Sequence, residues 1–599
     1  MAKSKTTKDE EQKVLELEYK TALLPSAQHK TGLAGLVFLV RTMEERGMAP
    51  LPEITRGEGE SWIIRFTRDN FQALFDELYD AEKIMIESKS RWSGQEPVDT
   101  VEKTTEREGK TETEKYFVYS MTVPKGAALR GVLPEGDEGD KKLKLWRDML
   151  WATYRGKPTT RGVYEERVQG SPCSFTEGDW KTLLKDMNKS KEIPGTYLLG
   201  SERFNAEKVL SRGTLKESLL LHFSHIACPL FLSRIFQIKR GKGEGGSAIS
   251  LKREESGYVI VMPEIVDVDK YVGKYRKWLG SDLESSKYHR PVSALIDLPE
   301  EGGLEFLSSI TEYRVETKGR GIFDTVEGAE YYHMEKKGNA VNLLASAYVP
   351  LSRDVLVEYS HLVAPGGKKR PLNFLYKTCR IRNILDGTPW YTGMQEILEQ
   401  YPSELFVWSK DGTPGNTPFF GNDIRRRFTK IAEDIEYTRE AKDMGIDDAG
   451  APAVNRDDRL AAKTRDIVRR YVISELKERV KKELLPNDKT HLEKKEEGDS
   501  ARYSVEYQEA VKKICNGAFL ALRGRKGSDI AEYFTGTLCS HPQFMKSSPK
   551  NEDNDEFILI ARALVDPEER EKIKLFAMLA LSACSYVYSK DEQPQAETE

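Results

Sequence analysis

The feature that most constrains the fold is a change of hydrophobic period along the chain. Up to about residue 392, short runs rich in β-branched and aromatic residues alternate with helical stretches, as in Ser61-Trp62-Ile63-Ile64-Arg65-Phe66 and Tyr116-Phe117-Val118-Tyr119-Ser120-Met121-Thr122-Val123. From about Gly393 onward strand signals nearly vanish. Apolar residues then recur at three- and four-residue steps, most clearly Tyr507, Val511, Ile514, Ala518 and Leu522. The expectation is an α+β chain: a mixed body with short antiparallel sheets over 13–392, then an all-α helical bundle over 393–599. At 599 residues the chain exceeds the roughly 250–300 residues one core supports, so several domains are required.

Local signals predict the elements. Residues 1–12 read as a disordered charged tail. A helix is expected over 20–47, ending near Gly47, with Pro25 in its first turn, and Pro50–Pro52 reads as a turn. Thr67-Arg68-Asp69-Asn70 reads as the cap of a helix running to about Ser88. Residues 93–114, rich in Thr, Glu and Lys, read as a flexible linker. Leu143–Tyr154 is amphipathic, and Tyr258–Met262 reads as a short buried strand. Ala329–Met334 and Asn342–Tyr348 read as a hairpin about Lys337-Gly338-Asn339. Helices are predicted over 394–401, 420–436, 457–485, 503–523 and 569–588, with Pro486–Ala501 as a charged linker. No internal repeat is found.

Charged residues make up 32% of the chain, yet the formal net charge is only −4. That excludes a histone-like electrostatic binder but not basic residues gathered on one face. The six cysteines are scattered without a C-x-x-C, which weakens a disulfide framework and a zinc ribbon and fits a reducing cytosol. The N-terminus lacks an apolar export core, and the longest apolar runs, Leu33–Val40 and Leu575–Tyr588, fall short of the roughly 20 residues a bilayer requires. A cytoplasmic protein without membrane partners is expected.

Catalytic motifs fail their context tests. Gly241-Lys242-Gly243-Glu244-Gly245-Gly246 matches G-x-G-x-x-G, but a strand, Tyr258–Met262, follows where a dinucleotide site needs a helix. As a mobile loop carrying Lys239, Arg240, Lys242 and Gly243, it suits phosphate contact or mere solvation. His222, His225 and Cys228 have helical ligand spacing, but no companion cluster supplies a fourth zinc ligand, so buried structural histidines are expected. Asp267 and Asp269 lie two apart without a third acid or a base, too little for a two-metal nuclease. No catalytic residue, metal or cofactor is assigned.

Basic clusters are more numerous. Lys368, Lys369 and Arg370 follow Gly366-Gly367. Arg380 and Arg382 precede Trp390 and Tyr391, which offer stacking surfaces. Arg425, Arg426 and Arg427 open a helix; Arg465, Arg469, Arg470, Lys477 and Lys481 lie along another, where Glu475, Glu478 and Glu483 neutralise part of the charge. Arg523, Arg525 and Lys526 end a third. Each cluster alone reads as a solvated face; their recurrence in one domain argues for nucleic acid.

Near the N-terminus, Leu24-Pro25-Ser26-Ala27-Gln28-His29-Lys30-Thr31-Gly32-Leu33-Ala34-Gly35-Leu36 sets a polar cluster before a small-residue apolar run. Gly32 and Gly35 strip one side of that helix for close approach by a backbone or a strand. The segment resembles the opening of the large subunits of type I CRISPR surveillance complexes (Cascade), in the myxobacterial-type, subtype I-B-like branch. Leu145-Trp146 through Trp151 with Lys157-Pro158-Thr159-Thr160-Arg161, Gly257 to Glu264, and Arg380 to Leu385 with Pro389-Trp390-Tyr391 point the same way.

The resemblance implies a non-catalytic subunit working with a CRISPR guide RNA, target double-stranded DNA and the backbone, guide 5′-end and small subunits. It implies recognition of the PAM duplex, stabilisation of the R-loop and recruitment of a helicase-nuclease. On this reading Gln28, His29 and Lys30 meet guide RNA or a backbone subunit. Lys157, Thr160, Arg161 and the 239–246 loop meet DNA. The helical domain, resembling the small subunit, holds the displaced strand through Arg425–Arg427, Arg469, Arg470, Arg523, Arg525 and Lys526. Met394 is a candidate internal start for that domain alone. A metal-dependent nuclease on the α+β body and a protein–protein scaffold stand as alternatives.

Overall fold

The computed structural model describes residues 13–586, except 59–60, 108–109, 154–160, 196, 201–210, 244–245, 282–289, 312–323, 339, 365–369, 409–417, 444–453, 480–491, 494–501, 504 and 541–551. The expected tail at 1–12 lies outside the described residues. The α+β expectation is borne out: short antiparallel sheets populate the N-terminal part and helices the C-terminal part. Two compact units result, one formed by 1–235 with 255–360 and the other by 236–254 with 361–599. The expected junction at 392/393 falls inside the second unit. No helix among the described residues is long and apolar enough to cross a membrane.

The first unit opens with β1 (Leu15–Lys20), whose apolar–charged alternation buries Leu15, Leu17 and Tyr19. Helix α1 (Ala27–Glu45) follows. The strands β2 (Glu53–Arg56) and β3 (Ser61–Phe66) complete a sheet of order β1-β3-β2. Thr67 and Asn70 form a reciprocal capping box on α2 (Arg68–Leu78), so the cap is where it was expected. The helix ends a turn after Phe75, however, and the rest of the expected span is strand β4 (Ala81–Ser88).

The stretch read as a linker is also structured. Strands β5 (Asp99–Arg107) and β6 (Lys110–Pro124) pair, and the sheet order is β4-β6-β5. Its alternation is of Thr with charge rather than apolar with polar, and Glu102 faces Lys115 while Lys103 faces Glu114 across the pair. Helix α3 (Asp137–Ala152) covers the expected 143–154 segment as far as Ala152.

Strands β7 (Ser190–Ile193) and β8 (Ser211–Thr214) form a small ribbon, and Thr214 caps α4 (Leu215–Leu220). A five-stranded sheet of order β11-β9-β10-β12-β13 is built from β9 (Leu230–Gly243), β10 (Gly246–Ile265), β11 (Leu295–Ile296), β12 (Val326–Lys337) and β13 (Ala340–Pro350). Between them lie α5 (Val268–Gly280) and α6 (Pro299–Ile310). The β12–β13 hairpin turns at Gly338, whose φ of 59° favours glycine, as its sequence predicts. The short strand expected at Tyr258–Met262 is the buried end of a 20-residue strand.

The second unit contains α7 (Phe374–Asp386), α8 (Met394–Gln400), α9 (Phe420–Asp443), α10 (Arg456–Arg479), α11 (Val505–Arg523), α12 (Glu552–Val565) and α13 (Pro567–Cys584). Every helix expected after residue 393 is present; α7 and α12 were not foreseen. Asp566 caps α13, and Ile573 to Ala583 are buried without a polar face, so α13 is the central helix on which α9, α10, α11 and α12 pack. Each fully buried Leu, Ile or Phe there contributes roughly 1.5–3 kcal/mol.

Candidate nucleic-acid interface

The polar cluster in the first turn of α1 is used inside the protein. Pro25 precedes the helix, and Ser26 is its N-cap, its Oγ 2.8 Å from His29 Nδ1. Gln28 and His29 are each only 2% exposed. Gln28 Nε2 donates to the Tyr197 carbonyl at 2.9 Å, and the Leu199 N–H donates to Gln28 Oε1 at 2.9 Å. Burial lowers the His29 pKa to about 4, against the opposing pull of Glu217. Lys30 is paired with Glu264. The close approach that Gly32 and Gly35 permit is by protein backbone: a Cβ at either would overlap the carbonyl of Leu220 or Phe223.

The groups with catalytic spacing are structural. His222 Nδ1 is 2.7 Å from the Tyr79 hydroxyl, and its ring stacks on Phe175. His225 stacks on Trp146, and burial lowers its pKa to about 3. Burial also raises Cys228 to about 12, so its thiolate does not form near neutral pH. Asp267 caps α5, accepting the Lys270 N–H at 3.1 Å. Arg56 donates to Asp267 at 3.0 Å and to Asp269 at 2.7 Å, and Arg41 also pairs with Asp269. Guanidinium groups thus occupy both carboxylates. Among the described residues, no group of three or more His, Cys, Asp or Glu side chains could hold a metal.

The glycine-rich motif has a different context from the mobile loop expected. It lies where β9 and β10 meet, so Lys239, Arg240, Lys242 and Gly243 belong to a long two-stranded arm, with their side chains outside the described set. Residues 236–254 of this arm cluster with the second unit, where Phe236 stacks on Phe374 with centroids 4.1 Å apart.

The other basic residues divide by environment. Arg161 is exposed over the Trp151 ring at 4.6 Å, while Lys157, Thr160, Lys368 and Lys369 lie outside the described residues. Arg380 is buried and Arg382 exposed on α7. Trp390 and Tyr391 are also buried, donating to Asp458 at 3.1 Å and to Asp457, so they do not offer the expected stacking surface. Arg425 turns inward, donating to the Ala583 carbonyl at 3.0 Å through Nε, and also to that of Tyr586. Arg426 is 3.2 Å from Asp423, and Arg427 lies over Trp390 at 5.4 Å.

On α10, Arg469 is exposed and Arg470 pairs with Asp466 at 2.8 Å. Arg523 reaches the Glu399 carbonyl, Arg525 lies over Tyr533 at 4.2 Å, and Lys526 is exposed. Sequence reasoning missed Asp423, which pairs with Arg426 on its own helix and attracts Arg370 in the segment before α7. Its spacing three residues before Arg426 was the available signal.

Two family profiles account for most of the chain. The type I-B CRISPR Cas8b N-terminal domain matches residues 51–320, and the type I-B CRISPR Cas8b C-terminal domain matches residues 326–584. No curated protein matches it. The resemblance drawn from the segments at 24–36, 145–161, 257–264 and 380–391 is thereby borne out, and the chain belongs to the type I-B CRISPR Cas8b family, the large subunit of a type I-B Cascade.

Proposed function

We propose that this subunit reads the PAM duplex, stabilises the R-loop and recruits the helicase-nuclease, without breaking bonds itself. Guide RNA does the decoding through base pairing. Strand exchange is close to energetic balance, so a few kcal/mol of protein–backbone contact tips it. The observation that carries this reading is the arm of β9 and β10: a paired, extended element with Lys239, Arg240 and Lys242 beside glycines at its far end. Such an element presents backbone N–H groups and cations to phosphates at little cost in ordering.

Arg161 and the neighbouring Lys157 and Thr160 are the second DNA contact. Arg382, Arg469, Arg470, Arg525 and Lys526 are the bundle's contacts to the displaced strand. The guide RNA, target DNA, other Cascade subunits and the helicase-nuclease are the proposed partners. The test replaces Lys239, Arg240 and Lys242 together by Ala in the assembled complex and titrates PAM-duplex binding with salt. Weaker binding with a flatter salt dependence is expected. Unchanged affinity across the titration removes the arm from the interface.

A further inference from the structure

The second unit holds more guanidinium than carboxylate at one place. Asp423, in the first turn of α9, is 1% exposed and accepts the Asn373 N–H at 2.8 Å and Arg426 Nη1 at 3.2 Å. Arg370 is half-buried beside it, attracted by Asp423 and repelled by Arg426. Its Nε is buried with no hydrogen-bond partner among the described residues. Behind them the buried Tyr376 lies within electrostatic reach of Arg370, Arg380 and Arg427.

Asp423 pairs with one of these guanidiniums, Arg426, and the positive charge of Arg370 is left over. A partly buried surplus of this kind is unfavourable until an anion completes it. The surplus on Arg370 and Arg426 is one charge, which matches a phosphodiester. Free phosphate near neutral pH carries more. The root of the arm reaches the same place, since Phe374, next to Asn373, is the ring on which Phe236 stacks.

We propose that Arg370 and Arg426, on either side of Asp423, seat one phosphodiester group of a nucleic-acid strand, with Asp423 as a built-in competitor that weakens the seat. This rests on the reading that the chain binds nucleic acid, and it names a place on the bundle where a strand is held. Arg426 has 42% of its side chain exposed, and Arg370 is half-buried.

The test uses the full chain, a labelled single-stranded DNA and a salt titration, with circular dichroism as the folding control. Asp423→Asn keeps an acceptor for Asn373 while removing the competing charge. It is expected to tighten binding about threefold or more. Arg426→Gln is expected to weaken binding about threefold and lower the salt slope by about one. A folded Asp423→Asn chain that binds no tighter overturns the seat, as does an unchanged slope in Arg426→Gln. If Asp423→Asn does not fold, the Arg426→Gln slope decides.

Inorganic phosphate at matched ionic strength is the second arm. If phosphate stabilises the wild-type chain but not Arg426→Gln, while strand binding is the same in both, the pocket takes free phosphate and the strand assignment is overturned. Wild-type binding that the variants leave unmoved removes the seat alone. A wild-type chain with no salt-dependent strand binding removes the nucleic-acid reading and the seat with it.

Discussion

Three adjacent arginines show what a residue's identity does and does not decide. Successive helix positions differ by about 100° in direction, so Arg425, Arg426 and Arg427 point to three environments. Arg425 donates to carbonyls at the end of α13, Arg426 reaches from the surface to the buried Asp423, and Arg427 covers Trp390. The cationic run was legible in the sequence. Its division was not, because the partners of Arg425 and Arg427 lie on other elements and only that of Arg426, three residues before it, is local. Charge-assisted bonds to orphan carbonyls contribute about 1.5–3 kcal/mol each. Arg425→Ala is therefore expected to destabilise the second unit by about 2–4 kcal/mol. Below its lowered unfolding temperature it should bind strands as the wild type does. Thermal unfolding beside binding isotherms checks this, and weaker binding at unchanged stability would make Arg425 a ligand contact instead.

At the scale of elements, close approach decides more than propensity does. Replacing Gly35 by Ala inside α1 would improve helix propensity by about 1 kcal/mol in an exposed helix. Here the added methyl overlaps the Phe223 carbonyl, which backbone turns on both sides hold in place. Overpacking of this kind costs about 1–3 kcal/mol, so a net loss is expected for Gly35→Ala, read by chemical denaturation as a lower midpoint with unchanged slope. A stabilised variant would mean that the 220–223 segment yields easily. The two glycines announced a close approach in the sequence without saying by what. In the same way, the cap at Thr67–Asn70 and the hairpin at Gly338 were readable because their signals are local. Strand β5 and the part of β6 before Tyr116 were not, because a pairing of Thr and opposed charges lacks the apolar alternation by which strands are recognised.

At the scale of the molecule, the two units carry buried titratable groups of opposite sense. In the first unit, burial lowers His29 to about 4 and His225 to about 3, from the ordinary 6.5. As pH falls below 6.5 the unfolded histidines take up protons that the folded ones refuse, so folding stability is lost toward acid. Each histidine forfeits on the order of 2 kcal/mol by about pH 5. In the second unit, burial raises Asp423 from 3.8 to about 6, and the bonds from Asn373 and Arg426 only partly offset this. There the folded state binds the proton first, so acidification from 6 toward 3.8 adds stability; burial raises Asp458 in the same sense. The units should therefore part company on mild acidification. Hydrogen exchange followed by peptide mass analysis is expected to show protection falling in α1 and the 222–228 segment between pH 6.5 and 5. Protection in α9 and α13 should hold or rise over that range. Simultaneous loss in both units would show that they unfold as one cooperative body, and the opposed burial of these groups would then have no separate effect on either.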